Sequence, residues 1–482
     1  MQSRRDRVMA HNFTVGRLGT AMLEGDPDAV DAPMRRTRTG TYIGIAIGAV
    51  LCIGFLVFGL IFPGGATSWR QEGRLIVDRD TGASYLYSAG VLRPVANGAS
   101  ARLVQGADAA VSLVSADSLE GVPVGGPVGI AGAPDALPTQ AGLEDSVWRV
   151  CALPPEGEED ERGRTALVVG TAPAPASPSA GQAVLVSGPD DAPHLLWNGT
   201  RLRLDEEGGA VQALGYGTSD ALPVTSAFLN TVPTGPDLTA PEVPGAGEDA
   251  GEMAGEPRRV GQVFAVSTPG QEDQHYLLTR DGLVPLSVTH ALLLLADPDV
   301  SGAAYPDAPA EALPLPAGEA HARLSDGQGP REERHPAAPP ELVGVGASVP
   351  CLRLAPDGSL SVTMDDPAGV EAWPVQERPG IAPGCPTPDL VGIASGRGSL
   401  AAAQPVGGGG GTATTHYLVT DSAAKYPVVD ETALTSLGYQ TAQAVQVPTS
   451  LLRLLPSGPV LDPEAAALPL APSSMVEDAG CP

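Results

Sequence analysis

Apolar and polar positions follow two rhythms along this 482-residue chain. Between 41 and 62 the sequence reads TYIGIAIGAVLCIGFLVFGLIF, with no charge in the run. A helix of that length rises roughly 33 Å, about the thickness of a bilayer's hydrocarbon core. Pro63 and Gly64 end it. Ahead of it, Phe13, Val15, Leu18, Met22 and Leu23 are mostly spaced for one face of a short helix. Beyond it the pattern shifts to short alternating runs. They recur in DRDTGASYLYSAGVLRPVANGASARLVQG from Asp78, HLLWNGTRLRL from His194, HYLLTRDGLVPLSVTHALLLLA from His275 and HYLVTDSAAKYPVVDETALTSLGY from His416. Each has a strand-like run, a turn of small or polar residues and a second run, which is a β-hairpin signature. A helix-like Ala/Leu/Ser/Thr stretch follows in the first, third and fourth.

Two of these units share more. ALGYGTSDALPVTSAFLNTVPTGPDL (213–238) matches SLGYQTAQAVQVPTSLLRLLPSGPVL (436–461) in Leu-Gly-Tyr, Thr-Ser and Pro-x-Gly-Pro. Units this small cannot bury an apolar face alone, so they stack on something. The runs VSLVS, GGPVGIAG, VWRVCAL, LVGVGASVPCLRLA and SLSVTM supply a central β domain for them. The predicted organisation is a basic N-terminal segment (1–40), a transmembrane helix (41–62), repeat 1 (66–110), the first part of the central domain (111–153), a linker (154–190), repeat 2 (191–241), repeat 3 (258–300), a linker (301–340), the second part of the central domain (341–400), repeat 4 (413–470) and a tail (471–482). Poorly structured stretches are expected at 154–164, 172–180, 233–256, 303–340 and 407–411, where Pro, Ala, Gly and acidic residues crowd. The fold class is one transmembrane helix plus an elongated, mainly β outer domain of four hairpin-helix repeats around a central β domain.

Charge orients the helix. Arg4, Arg5, Arg7, Arg17, Arg35, Arg36 and Arg38 precede it, whereas only Arg70 and Arg74 follow closely. The positive-inside rule predicts a cytosolic N-terminus and an extracytoplasmic C-terminal mass. Arg35, Arg36 and Arg38 also suit anionic headgroups of membrane lipid. A cleaved signal peptide is the rival, but its apolar run is shorter and lies behind a shorter basic segment. Gly40, Gly44 and Gly48 share one helix face and would let a second helix approach closely. The net charge of −28 argues against a nucleic-acid partner, which needs Lys and Arg for phosphate.

Of five cysteines, Cys52 lies in the membrane run and four lie beyond it. An even number in an oxidising space predicts disulfides, and no pair has the CxxC spacing of a structural zinc site. Cys151 and Cys351 each sit in a strand-like run and are expected to pair. Cys385 with Cys481 follows by elimination. No metal or cofactor is expected. No GxxxxGK[ST] phosphate loop exists: Thr412 follows the glycine run 407–411, and Lys425 is the only lysine. HExxH and GxSxG are absent too. His194, His275 and His416 occupy one repeat position, filled by Ser84 in the first, which points to structure before catalysis. The acidic runs 156–161 and Asp365-Asp366 read as solvated faces or loops, and neither has an EF-hand pattern.

The combination of AHNF (10–13) and VGRLGTAMLEGD before a basic stretch, one helix, Trp69, Gly73, LIVDRDTGASYLY, LRPVANGASARLV, VWRVC and the Leu-Gly-Tyr and Pro-x-Gly-Pro units resembles EccB. EccB is a core membrane component of actinobacterial type VII (ESX) secretion systems. The resemblance spans nearly the whole chain. It implies four repeats around a central β domain with a disulfide at its centre. It also implies assembly, as a homo- or hetero-oligomer, with the motor ATPase EccC, the multispanning EccD and EccE. ATPase activity has been attributed to some members, but this sequence departs from every nucleotide-binding pattern above. A structural subunit of the secretion complex is therefore expected; an extracytoplasmic nucleotide hydrolase or a cell-wall-binding module are the alternatives.

Overall fold

The computed structural model describes residues 4–24, 34–61, 68–108, 110–157, 162–170, 177–325, 334–404 and 415–472. The chain divides into two compact units. One is Met1–Arg70 with Asp78–Gly82 and Leu113–Gly121; the other is Gln71–Val77, Ala83–Ser112 and Val122–Pro482.

The first unit holds two long helices, Arg4–Glu24 and Met34–Ile61, and a single turn, Ala116–Leu119. Phe13, Val15, Leu18 and Met22 are exposed on the first, and the Arg17 guanidinium stands 5.8 Å from the Phe13 ring. The second helix starts before the apolar run and takes Arg35, Arg36 and Arg38 into its opening turns. Its stretch Thr37–Phe58 is long and apolar enough to cross a membrane. Phe62 lies outside the described residues.

In the second unit one motif occurs four times. Three antiparallel strands meander: Leu75–Asp78, Ser84–Ser88 and Val91–Pro94; Gln182–Ser187, Pro193–Trp197 and Thr200–Arg203; Val263–Val266, Gln274–Thr279 and Gly282–Leu286; Gly398–Gln404, His416–Thr420 and Ala424–Val428. A helix follows each: Gly98–Gln105, Ala210–Ala213, Val288–Ala296 and Glu431–Leu437. Asn97, Ser287 and Asp430 cap three of them by accepting from the N–H groups of Ser100, His290 and Ala433. In the last three repeats a short strand then lies parallel to the first: Leu222–Pro223, Leu313–Pro314 and Val445–Pro448.

A return segment closes every repeat alongside its third strand. Val124 pairs with Leu92, Thr234 with Arg201, Leu324 with Leu283 and Ser457 with Lys425. The next N–H, from Gly125, Gly235, Ser325 and Gly458, donates back to that same third-strand carbonyl at 2.8–2.9 Å. A Cβ on Gly235 would run into the Leu202 side chain, and one on Gly458 into the Tyr426 ring. The glycine of Pro-x-Gly-Pro therefore allows the return segment to lie flat on its sheet.

Six strands form the central sheet in the order Leu360–Asp365, Val349–Leu354, Val147–Leu153, Arg164–Gly170, Leu390–Ile393 and Trp373–Pro374. One face buries Trp148, Val150 and Leu352 against Val186 and Phe228 of repeat 2 and Val419 and Leu451 of repeat 4. The opposite face carries Cys151, Cys351 and Val349, covered by Val370 and Ala372. Repeat 1 shares a core with repeat 4 through Leu103, Leu434 and Leu461. Repeat 3 lends Leu293 to the core of repeat 2.

Several boundaries differ from the sequence expectation. The stretch 154–190 contains two strands, Arg164–Gly170 and Gln182–Ser187, and the first is an inner strand of the central sheet. Residues 122–128 complete repeat 1 instead of entering the central domain, and Gly398–Gln404 opens repeat 4. The stretch 233–256 is ordered by the return segment and by a hairpin, Asp249–Met253 with Glu256–Arg259. The stretch 301–340 holds Leu313–Pro314 and the helix Ala317–Ala322. The two strands within 154–190, RTALVVG and QAVLVS, are short apolar runs set among Pro, Ala, Gly and acidic residues, whereas main-chain hydrogen bonds hold the loop-like segments of 233–256 and 301–340. The run 407–411, most of 172–180 and the tail beyond 472 lie outside the described residues.

Candidate functional site: a disulfide-tied central sheet

The two central strands Val147–Leu153 and Val349–Leu354 run antiparallel, with Cys351 opposite Cys151, Val150 opposite Leu352 and Arg149 opposite Arg353. Cys151 and Cys351 are joined, with an S–S distance of 2.03 Å, and both are fully buried. Beside them Arg149 Nη1 donates to Asp365 Oδ2 at 2.9 Å, and Thr363 Oγ1 donates to Asp365 Oδ1 at 2.6 Å. The two sulfurs and the Asp365 carboxylate lie within 4.8 Å of one another. With both sulfurs consumed by the disulfide and the carboxylate held by Arg149, this cluster has no ligand set to offer a metal.

The chain enters each of these strands past a pinned proline. Tyr439 Oη donates to Pro138 O at 2.7 Å, and Tyr216 Oη donates to Pro340 O at 2.8 Å. Both are the tyrosines of the Leu-Gly-Tyr motifs. Burial pushes the Tyr216 phenol up to about 12 and also raises that of Tyr439. Trp148 Nε1 donates to Ser399 Oγ at 3.2 Å, tying the sheet to repeat 4.

A cavity of about 640 Å³ opens on the disulfide-bearing face, lined among others by Arg149, Asp365, Asp366, Glu371, Trp373 and Ile393. A second, of about 300 Å³, shares Trp373 and Ile393 and adds Arg378 and Asp421. Nothing in the sequence pattern marked Trp373: it lies in a two-residue strand too short to show alternation. Arg149 was visible as a charge inside VWRVCAL, the only sign that this face meets something polar.

The other predicted residues are dispersed. Cys385 is in a disulfide; Cys481 lies outside the described residues. Cys52 is a free thiol on the long helix. Positions 40, 44 and 48 of that helix are open, since a Cβ on Gly40, Gly44 or Gly48 meets nothing within 4 Å. His194, His275 and His416 each stand near the start of their repeat's second strand, opposite Val186, Ala265 and Ala402, as Ser84 stands opposite Val77. They sit on three separate sheets and converge on nothing. Burial holds His194 below the usual histidine range. Lys425 is 8% exposed, and its Nζ donates to Leu455 O at 2.5 Å. Burial lowers it to about 8.

One histidine cluster escaped the sequence. His290 Nδ1 lies 2.9 Å from Ser287 Oγ, His290 Nε2 lies 3.2 Å from His335 Nδ1, and His335 Nε2 lies 3.2 Å from Asp237 O. A carbonyl only accepts, so His335 donates from Nε2 and accepts at Nδ1. His290 then donates from Nε2 and receives the Ser287 hydroxyl at Nδ1. Burial, and secondarily His335, lowers His290 to about 4.

A single apolar helix and a mainly β second unit built from repeated sheets around a cystine define a membrane-associated assembly module. The chain belongs to the EccB family of type VII secretion proteins: residues 1–471 match the family model described as type VII secretion system ESX-1, transport TM domain B. It is 30% identical to the ESX-3 secretion system ATPase EccB3 of Mycobacterium tuberculosis, over 98% of this chain and 90% of that protein. It is 27% identical to the ESX-5 secretion system ATPase EccB5 of the same organism, over 95% of this chain and 92% of that protein. The structure of an EccB3 dimer from the ESX-3 core complex superposes with a TM-score of 0.63 at 27% identity, over 82% of this chain and all of that one. A chain of an intact ESX-5 inner membrane complex shares the fold, with a TM-score of 0.64 at 23% identity over 99% and 97% of the two chains.

Proposed function

We propose that this chain is a structural subunit of an ESX inner-membrane secretion complex, anchored by Met34–Ile61 and carrying its repeats on the extracytoplasmic side. The observation that carries this reading is the central sheet. Its strands come from two distant parts of the chain, are locked by Cys151–Cys351, and share one core with two repeats. Such a body is built to hold shape. Arg35, Arg36 and Arg38 then sit at the cytosolic headgroups, and Gly40, Gly44 and Gly48 offer the membrane helix a close-packing face. EccC, EccD and EccE are the partners this role requires, together with further copies of the chain itself.

The relatives are named as ATPases, which gives the hydrolase reading its one support. Against it stands the chemistry: phosphate binding by a lysine needs a reachable ammonium, and the sole lysine is buried against Leu455 O. The test is detergent extraction of the tagged full chain from its own cells. Co-purification with the EccC and EccD subunits is expected, weakened by Gly44→Ile. Recovery of the chain alone at every salt concentration would sink the scaffold reading. Magnesium-dependent ATP turnover that tracks the pure chain and is lost in a Lys425→Ala variant would favour the enzyme.

A further inference from the structure

Aromatic residues are scarce in this chain, at 4%, and the second unit hides nearly all of those it has. Among the described residues of that unit, Trp373 is the only aromatic side chain that is exposed, at 63%. It stands on the edge strand of the central sheet and lines both cavities described above. An indole left in water on the wall of two hollows is the pattern of a contact residue, because tryptophan is among the side chains that contribute most when a partner covers them.

The walls specify what would cover it. In the larger cavity Asp365 is paired with Arg149 and accepts from the Thr363 hydroxyl, but Asp366 and Glu371 are exposed carboxylates with no ion pair among the described residues. The residues lining that cavity thus carry one positive and three negative charges. A cation is favoured there twice, by the carboxylates and by the face of the indole. Arg149 adds a directional group. It is 9% exposed and makes one hydrogen bond among the described residues, from Nη1. Arg149 lines the cavity, and the guanidinium N–H groups not used by Asp365 call for carbonyl oxygens, which an extended main chain supplies. A second copy of this chain, at net charge −28, is a poor match for such a surface.

We propose that the two cavities that share Trp373 as a wall form one docking groove for an extended basic segment of a partner protein, with an arginine or lysine side chain over the indole and a main-chain carbonyl on Arg149. The groove is independent of whether the chain also scaffolds a secretion complex.

The test uses the full chain in detergent micelles, labelled with 5-fluorotryptophan. Its four tryptophans give four ¹⁹F resonances, and Trp373→Phe identifies one. The probes are acetyl-Gly-Gly-Arg-Gly-Gly-amide and its glutamate counterpart. The arginine peptide is expected to shift the Trp373 resonance saturably and the glutamate peptide to leave it in place. The double variant Asp366→Asn, Glu371→Gln is expected to weaken binding at least about fivefold. A Trp148→Phe variant identifies the buried Trp148 resonance, which stays unmoved while the sheet is intact. A Trp373 signal that ignores the arginine peptide through the millimolar range, responds equally to both peptides, or moves with protein concentration alone would overturn the proposal.

Discussion

At the scale of residues, this molecule uses its few polar core groups to join segments. Tyr216 and Tyr439 pin the two entrances to the central sheet, Trp148 reaches Ser399, and His290 links the third repeat to His335. The histidine pair has a pH signature. Folding depresses His290 from about 6.5 to about 4, so the unfolded chain binds a proton that the folded chain refuses. Stability is therefore expected to fall as pH drops from about 6.5 toward 4 and to be flat in this respect above 6.5. In His290→Gln that part of the acid slope should vanish, as measured by denaturant midpoints across the range. A slope unchanged by the substitution would assign the acid sensitivity to other groups. None of these contacts could be read from sequence, because each joins positions 40 to 300 residues apart and no local pattern records it.

Elements tell a different story. The long helix, the hairpins opening at His194, His275 and His416, and the paired cysteines were legible, because charge-free length, period-two alternation and turn chemistry are local properties. The first strand of repeats 2 and 4 was not. Gln182–Ser187 follows a Pro/Ala run, and Gly398–Gln404 is built largely of small residues, so composition argued for linker in one place and for central domain in the other. The return segments were half legible: Pro-x-Gly-Pro showed itself as a repeat, while its partner strand did not. That motif makes an element-scale prediction. Gly458→Val places a branched side chain against the Tyr426 ring and should cost about 1–3 kcal/mol by overpacking. Gly302→Val, where a Cβ meets nothing within 4 Å, should cost less. Chemical denaturation of the two variants compares them directly.

For the whole molecule, the order of the parts matters more than any one of them. Repeats 1 and 2 flank one central hairpin in the chain, repeats 3 and 4 flank the other central strands, and Cys151 faces Cys351 where the two groups of strands meet. Each half enters its strand past a proline held by the tyrosine of a repeat from a different part of the chain. The two halves thus hold each other through the sheet, the disulfide and these two tyrosines. Removing the disulfide with Cys151→Ser is expected to lower stability by about 2–5 kcal/mol, read from unfolding under non-reducing conditions. An unfolding curve identical to the unsubstituted protein would mean that the sheet holds without it.

The 200 residues separating those two cysteines also dictate an order of events during synthesis. Val147–Leu153 emerges long before its neighbour Val349–Leu354 exists, so one edge of an almost wholly apolar strand stays open while repeats 2 and 3 are still being made. The sheet at the centre of the finished protein thus closes only after repeats 2 and 3 have been made, and the interval before closure is when a newborn chain is most exposed to pairing with the wrong edge.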